Sequence, residues 1–185
     1  MLLAATERAG LLPEAAGDVA GAAGAMREQQ ASLRLETPVT RNPAKRMAGQ
    51  FVERWPVILG SGVLAPVARR WRTQISEIAK SVAQFEELPE ADHNMVAGVA
   101  QPTALLERSL VVFLRSSLDH PRNVLRVEAT REALMVEGFN TDIIEARGGT
   151  RLAHQWTSLH FGDYTAFYLA MAYSIDPTPV AAIQG

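Results

Sequence analysis

The chain of 185 residues contains no cysteine, which excludes disulfide bonds, thiolate metal sites and a cysteine nucleophile. Long apolar runs are also missing, because none approaches the roughly eighteen residues that a membrane-spanning helix needs. The first ten residues acquire Glu7 and Arg8 too early for a signal peptide. We therefore expect a cytoplasmic protein that does not insert into a membrane.

The chain has no large excess of charge of either sign, since it contains 18 basic and 20 acidic residues. Neither nucleic acid nor an anionic membrane is therefore expected as a partner. Lysine is scarce: 16 of the basic residues are arginine, and only Lys45 and Lys80 supply an amine. The four histidines show no HExxH motif or similar cluster, so we predict no metal site.

Apolar segments alternate with helical patterns from residue 56 onward. Valine, isoleucine, leucine and phenylalanine dominate four predicted strands, at 56–60, 82–86, 108–114 and 140–146. The predicted helices cover 63–79, a short stretch after His93, 121–137 and 151–173. Apolar strands separated by helices indicate a parallel sheet covered on both faces. The predicted fold class is therefore α/β, a three-layer sandwich.

The first forty residues predict a helical connector. Helices over 1–12 and 14–32 are rich in alanine and glycine, so they bury little area and should be loosely held alone. Asn42 and Pro43 predict the N-cap and first turn of a further helix that runs to about Arg54. At the other end, Thr178 and Pro179 open a helix that stops almost at once, which suggests a shortened chain.

A glycine-rich turn follows the first predicted strand and consists of Gly60, Ser61 and Gly62. Backbone N–H groups at the start of the next helix could bind an anion there. Glycines in a tight strand-to-helix turn need no ligand, however, and the motif is neither a Walker loop nor a GxGxxG fingerprint. Both interpretations remain open from the sequence.

Glu77 and His93 are the candidates for acid–base chemistry. Apolar neighbours around Glu77 would favour its use as a base near neutral pH. The alternative is a solvated glutamate at a helix end, paired with Lys80 or Arg72. His93, between Asp92 and Asn94, is either an oriented acid–base group or a surface histidine that caps the next helix.

Asp163 follows Gly162, and we predict that it caps a second part of the last helix. The same pattern predicts four core residues on this helix: Tyr164, Phe167, Tyr168 and Met171. If the helix that starts near Val63 continued to Lys80, Glu77 would lie roughly 20 Å from the glycine-rich turn. The sequence leaves open whether that helix ends earlier.

Several segments in order resemble the C-terminal half of bacterial and archaeal bifunctional phosphoglucose/phosphomannose isomerases. They are NPAK (42–45), RWPVILGSG (54–62), APVARRWRTQ (65–74), SEIAK (76–80), LPEADHN (88–94), GDYTAFYLA (162–170) and IDPTPV (175–180). That family has two sugar isomerase (SIS) domains, each with a five-stranded parallel sheet between helices. The resemblance implies that residues 1–41 are the connector from an N-terminal SIS domain and residues 42–185 are the C-terminal SIS domain.

By this resemblance, Glu77 matches the glutamate that moves a proton between C1 and C2 of the open sugar phosphate through a cis-enediol. His93 matches the histidine that assists ring opening and that the second subunit of a homodimer contributes. We expect substrate contacts from the residues around them, which are Gly60, Ser61, Gly62, Lys80 and Asn94. The family needs no cofactor, and its substrates are the 6-phosphates of glucose, mannose and fructose.

Some family features are absent from the sequence. The residues that flank Glu77 and His93 differ from the polar ones that relatives often carry; here they are Ser76, Ile78, Asp92 and Met95. The phosphate-binding loops of the family belong to its N-terminal domain. The chain by itself is therefore expected to be inactive. Two alternatives remain: a non-catalytic SIS domain that binds a sugar phosphate or mediates dimerisation, and an unrelated doubly wound α/β binding domain.

Overall fold

The computed structural model describes residues 2–179 and contains a parallel sheet of four strands. They are β1 (Trp55–Ser61), β2 (Gln84–Leu88), β3 (Ser109–Arg115) and β4 (Asn140–Glu145), in the order β2-β1-β3-β4. The two central strands are buried on both faces, which explains their unbroken apolar runs. The α/β class and the parallel sheet are confirmed.

The described residues form four strands, where roughly five were expected, and polar contacts lie along β4, an outer strand of the sheet. The backbone N–H of Ile143 donates to Oδ1 of Asp142 at 2.8 Å, and Gln50 Nε2 donates to Asp142 Oδ2 at 3.3 Å. A carboxylate bonded along an edge strand in this way removes a donor that another strand would need.

Seven α-helices accompany the sheet over residues 2–179. Their bounds are α1 (Leu2–Arg8), α2 (Ala16–Leu33), α3 (Pro43–Phe51), α4 (Ala65–Ala79), α5 (Glu90–His93), α6 (Pro121–Val136) and α7 (Arg151–Ala172). Three short 3-10 turns lie at Gly62–Leu64, Val96–Gly98 and Thr103–Leu105. None of the helices in this range is long and apolar enough to cross a membrane. The further helix predicted to begin at Thr178 extends into residues 180–185, which lie outside the described residues.

Side chains that alternate along β1 and β3 divide the core into two layers. Ile58 and Val112 face the layer of α3, α4 and α7, while Leu59 and Phe113 face α5 and α6. The first layer contains the fully buried Trp71, whose Nε1 donates to the carbonyl oxygen of Ser158 at 2.9 Å. Glu77 therefore belongs to one face of the sheet and His93 to the other.

The second helix of the predicted connector, α2, packs along α7 of this first layer. Asn42 caps α3 by accepting from the N–H of Lys45, as predicted, and its Nδ2 donates to the carbonyl oxygen of Leu33 at 2.8 Å. The Tyr168 hydroxyl donates to the same oxygen. By contrast, α1 has no buried residues. The boundary between connector and domain near residue 41 stays a prediction.

Gly162 is where α7 passes closest to α4. A Cβ atom there would lie 2.5 Å from Nε1 of Trp71, a rigid and fully buried ring. We therefore expect Gly162→Ala to lower the free energy of unfolding by about 1–3 kcal/mol. The control is Gly49→Ala in α3, where a Cβ meets no atom within 4 Å, and it should stabilise by about 0.5–1 kcal/mol. Urea denaturation measures both, and equal effects would contradict the packing described.

Candidate functional site

The glycine-rich turn lies at the carboxyl end of β1, beside the loop that follows β3. β1 and β3 are neighbouring strands, and the chain leaves them toward opposite faces of the sheet. In folds of this kind, ligands usually bind in the crevice between two such strands. Ser61 is fully buried, and its Oγ donates to Oδ2 of Asp119 at 2.7 Å. The Asp119 carboxylate would repel an anion held by this turn.

Packing accounts for the glycines of this turn. Gly62 has a φ of +49°, and a Cβ there would lie 2.8 Å from Oδ1 of Asp119. At Gly60 a Cβ would lie 2.5 Å from the backbone oxygen of Leu64. Both residues are therefore explained without a ligand, and substrate contact by Gly60, Ser61 and Gly62 stays a prediction.

Glu77 occupies the last turn of α4, at the end of the helix opposite to this turn. The helix runs without a break from Ala65 to Ala79, which answers the question that the sequence left open. The Glu77 side chain is 59% exposed, and its Oε2 lies 3.9 Å from Nη1 of Arg70. The predicted apolar surroundings are therefore wrong for this chain, and the charged partner is Arg70 rather than Arg72.

Lys80 ends α4 in the left-handed conformation, with a φ of 53°. Its Nζ donates to two backbone oxygens, that of Glu77 at 2.5 Å and that of Pro177 at 3.1 Å. The amine thus fastens the segment after α7 to the end of α4. A role for Lys80 in substrate binding stays a prediction.

His93 is the last residue of α5, at the carboxyl end of β2, and it is exposed. Asp92 does not orient it, because Asp92 Oδ1 accepts from the Thr130 hydroxyl at 2.5 Å and Oδ2 faces Arg126. The expectation that His93 caps a following helix is wrong, because Met95 is the residue at the N-cap of the next turn, Val96–Gly98. Asn94 is exposed too, and its Nδ2 donates to Oε1 of Glu90 at 3.0 Å.

One copy of the chain does not bring the two acid–base candidates together. Glu77 lies at the end of α4 near the start of the strands, whereas His93 lies at the carboxyl end of β2. The two residues also belong to layers on opposite faces of the sheet. A single copy therefore does not assemble a site that uses both residues.

A polar contact between α4 and α7, made by Gln74 and Asp163, was not found from the sequence. Gln74 is 1% exposed, and its Nε2 donates to Oδ1 of Asp163. Asp163 lies inside the continuous α7, so the prediction that it caps a helix is wrong. The contact joins residues that are distant in the sequence, and no local pattern marks it.

Burial shifts the pKa of two side chains of α7, Asp163 and His160. It raises the pKa of the Asp163 carboxyl, while the hydrogen bond from Gln74 and the charge of Arg70 oppose that rise. It lowers the pKa of the His160 imidazole, against the influence of the Asp163 charge. Both shifts are explained by the packing of α7 against its neighbours, since His160 Nδ1 lies 3.0 Å from Oε1 of Gln29 and Asp163 accepts from Gln74.

The predicted core of α7 is only half right, since Tyr168 is buried but Phe167 is 36% and Met171 44% exposed. Trp156, on the same helix, is 43% exposed. These large apolar side chains lie on the layer that carries Glu77.

The other histidine of α7, His154, belongs to the core. Its Nδ1 lies 2.8 Å from Oγ of the buried Ser116, and its Nε2 lies 2.9 Å from the carbonyl oxygen of Gly148. With both nitrogens occupied, it ties α7 to the loops after β3 and β4. Within residues 2–179 no three histidine or carboxylate side chains lie together as a metal site would require.

The parallel sheet and the helices on both of its faces define an α/β domain of the doubly wound class, and comparison with known proteins assigns this domain to one family. Residues 40–185 match the family described as the bacterial phosphoglucose isomerase C-terminal SIS domain. The chain belongs to this family of SIS-domain phosphosugar isomerases, which confirms the resemblance found in the sequence.

Among similar proteins are bifunctional phosphoglucose/phosphomannose isomerases. That of Caldicellulosiruptor bescii is 37% identical over 80% of this chain and 44% of its own length. That of Aquifex aeolicus is 30% identical over 86% of this chain and 49% of its own length. The chain thus spans less than half the length of these relatives.

Solved structures show the same fold. A glucose-6-phosphate isomerase like protein from Thermus thermophilus has a TM-score of 0.75 at 25% identity, over 88% of this chain and 55% of that one. The C-terminal domain of glucosamine-fructose-6-phosphate aminotransferase from Francisella tularensis has a TM-score of 0.62 at 14% identity, over 85% of this chain and 43% of that one. The second likeness concerns the fold alone.

Proposed function

We propose that the chain is the C-terminal part of an aldose–ketose isomerase that interconverts glucose 6-phosphate or mannose 6-phosphate with fructose 6-phosphate. The proposal rests on the match to bifunctional phosphoglucose/phosphomannose isomerases over most of the chain. The residues that match the family, 40–185, include Glu77 and His93. The working enzyme would be a cytoplasmic homodimer of carbohydrate metabolism that has an N-terminal SIS domain on each chain.

Glu77 would act as the base. A carboxylate can remove the proton from C2 of the open aldose, which is acidic because it lies next to the carbonyl carbon. The cis-enediol that forms can take the proton back at C1 from the same carboxyl group, which gives the ketose. The exposure of Glu77 is consistent with this role, since a base on an open surface can meet a sugar held by another domain.

His93 would assist ring opening from a second copy of the chain. An imidazole can exchange protons with the ring oxygen and the O1 hydroxyl of a hexose phosphate near neutral pH. The separation of Glu77 and His93 by the sheet supports a site made from two copies. No step in this scheme requires a cofactor.

The N-terminal SIS domain would hold the phosphate and cover Glu77. The exposed Trp156, Phe167 and Met171 on the layer that carries Glu77 favour that face as its contact surface. Gly60, Ser61, Gly62, Lys80 and Asn94 remain proposed substrate contacts. Lys80 would act mainly by holding the end of α4, since its amine is bonded to backbone oxygens.

The test is an isomerisation assay with fructose 6-phosphate, in which glucose 6-phosphate and mannose 6-phosphate are measured separately. Two proteins are compared: the chain alone, expected to be inactive, and the chain joined to an N-terminal SIS domain, expected to be active. The second candidate function is a non-catalytic SIS domain, which the exposure of both Glu77 and His93 favours. Binding of fructose 6-phosphate without turnover by the joined protein would support it instead.

A further inference from the structure

Thr130 lies in the middle of α6 and is 5% exposed, and its hydroxyl donates to Oδ1 of Asp92 on α5 at 2.5 Å. A buried hydroxyl inside a helix often donates to the carbonyl oxygen one turn earlier in the same helix. Thr165 of α7 does so, since its hydroxyl donates to the carbonyl oxygen of Phe161 at 2.9 Å. Thr130 instead bonds to a residue 38 positions away, so its hydroxyl fixes α5 against α6.

The position of α5 depends strongly on this hydrogen bond. A helix of four residues, Glu90–His93, is too short to be stable by itself. Ala91 is fully buried against the apolar cluster beneath α5 and α6, but a single methyl group does little to fix the rotation of a helix. The Arg126 guanidinium lies 3.9 Å from Oδ2 of Asp92, and these side chains are 38% and 32% exposed, so their ion pair adds little.

The direction of the Asp92 side chain determines that of His93. Both carboxylate oxygens of Asp92 face α6, one toward Thr130 and the other toward Arg126. Successive side chains of an α-helix point about 100° apart around its axis. With Asp92 turned toward α6, the neighbouring His93 is turned away from that contact, and it is exposed. Asp92 therefore acts on the rotation of the helix rather than on the imidazole itself.

We propose that Thr130, through its hydrogen bond to Asp92, fixes the rotation of α5 and thereby directs His93 outward, where a second copy of the chain can meet it. Thr130 and Asp92 are positioning residues that do not touch the sugar. The inference rests on the proposed role of His93 in ring opening. It also gives a reason for the carboxylate that precedes His93, since Thr130 supplies the donor that this carboxylate accepts from.

The first experiment needs only the present chain and measures backbone amide hydrogen exchange by NMR. Thr130→Val keeps the shape of the side chain but removes the hydroxyl, so the backbone amides of Asp92 and Asn94, which form the hydrogen bonds of α5, should exchange several-fold faster. Thr130→Ser keeps the hydroxyl and should exchange at the parent rates. Thr165→Val is the matched control, since it removes a buried hydroxyl from α7 on the other face of the sheet. Equal exchange rates in Thr130→Val and Thr165→Val would overturn the proposal.

The second experiment uses the chain joined to an N-terminal SIS domain. Thr130→Val and Asp92→Ala should each lower kcat for glucose 6-phosphate by roughly tenfold with little change in KM, because His93 is misdirected while the substrate contacts persist. Thr130→Ser should keep most of the rate, and Thr165→Val all of it. An unchanged kcat in Thr130→Val and Asp92→Ala would overturn the proposal. An inactive parent protein would instead refute the proposed function and leave the exchange rates to decide the geometry.

A third experiment separates the positioning of His93 from general damage to the domain, by random exchange of subunits between variants of the joined protein. When Thr130→Val is combined with Glu77→Gln, one site of each mixed dimer has an intact Glu77 and a correctly directed His93, so about a quarter of the parent rate is expected. When Thr130→Val is combined with His93→Ala, no site has a correctly directed histidine, and the rate should fall below that of Thr130→Val alone. Equal rates in the two mixtures would overturn the proposal.

Discussion

Replacing Glu77 by glutamine in the chain joined to an N-terminal SIS domain is expected to lower kcat by roughly 10³-fold. Glutamine keeps the shape of the side chain but cannot accept the C2 proton or return it to C1. The Glu77 side chain is 59% exposed and its ion pair with Arg70 is long, at 3.9 Å. The loss of activity should therefore occur without a loss of stability.

The control for this variant is Glu132→Gln, since Glu132 is an exposed glutamate on α6 on the other face of the sheet. It should keep full activity. Thermal unfolding of both variants should coincide with that of the parent protein. A Glu77→Gln enzyme that retained more than a tenth of the parent kcat would exclude Glu77 as the proton carrier.

Mixing two inactive variants is expected to restore activity, because Glu77 and His93 of one chain lie at opposite ends and on opposite faces of the sheet. In a dimer of one Glu77→Gln chain and one His93→Ala chain, one site receives both native residues and the other receives neither. Random exchange of subunits would leave about a quarter of all sites intact. Activity near that fraction of the parent value is the expected result.

The measurement is the isomerisation rate after the two variants have been expressed together, compared with each variant alone and with the two mixed without exchange. Restored activity that depends on subunit exchange would support a site formed by two copies. If both residues acted within one chain, every heterodimer site would carry one defect, and the rate of the mixture would stay that of the single variants.

The sequence predicted the parts of the fold that local patterns determine. β1 and β3 are continuous apolar runs because both of their faces are buried, and the structure confirms them within a residue or two. β2 begins at Gln84, two residues later than predicted, because Lys80 ends α4 in the left-handed conformation and the next three residues make the turn. Such turn geometry leaves a weak signal in the sequence.

The features that the sequence missed depend on contacts between distant segments. Asp163 follows a glycine, which suggested a helix cap, but Gly162 is there because the Trp71 ring of α4 leaves no space for a side chain. The pairing of Asp163 with Gln74 joins residues 89 positions apart. The charged partner of Glu77 was also missed, since Arg70 lies about two helical turns before it on α4.

Proton transfer by Glu77 between C1 and C2 can be tested by solvent exchange. The joined protein is incubated with glucose 6-phosphate in D₂O, and deuterium in the substrate and in fructose 6-phosphate is followed by NMR. Because the Glu77 carboxyl can exchange its proton with D₂O before returning it, we expect deuterium at C2 of glucose 6-phosphate and at C1 of fructose 6-phosphate with the parent protein. We expect none with Glu77→Gln, although this variant should still bind the sugar, and incorporation by Glu77→Gln at the parent rate would exclude Glu77 as the proton carrier.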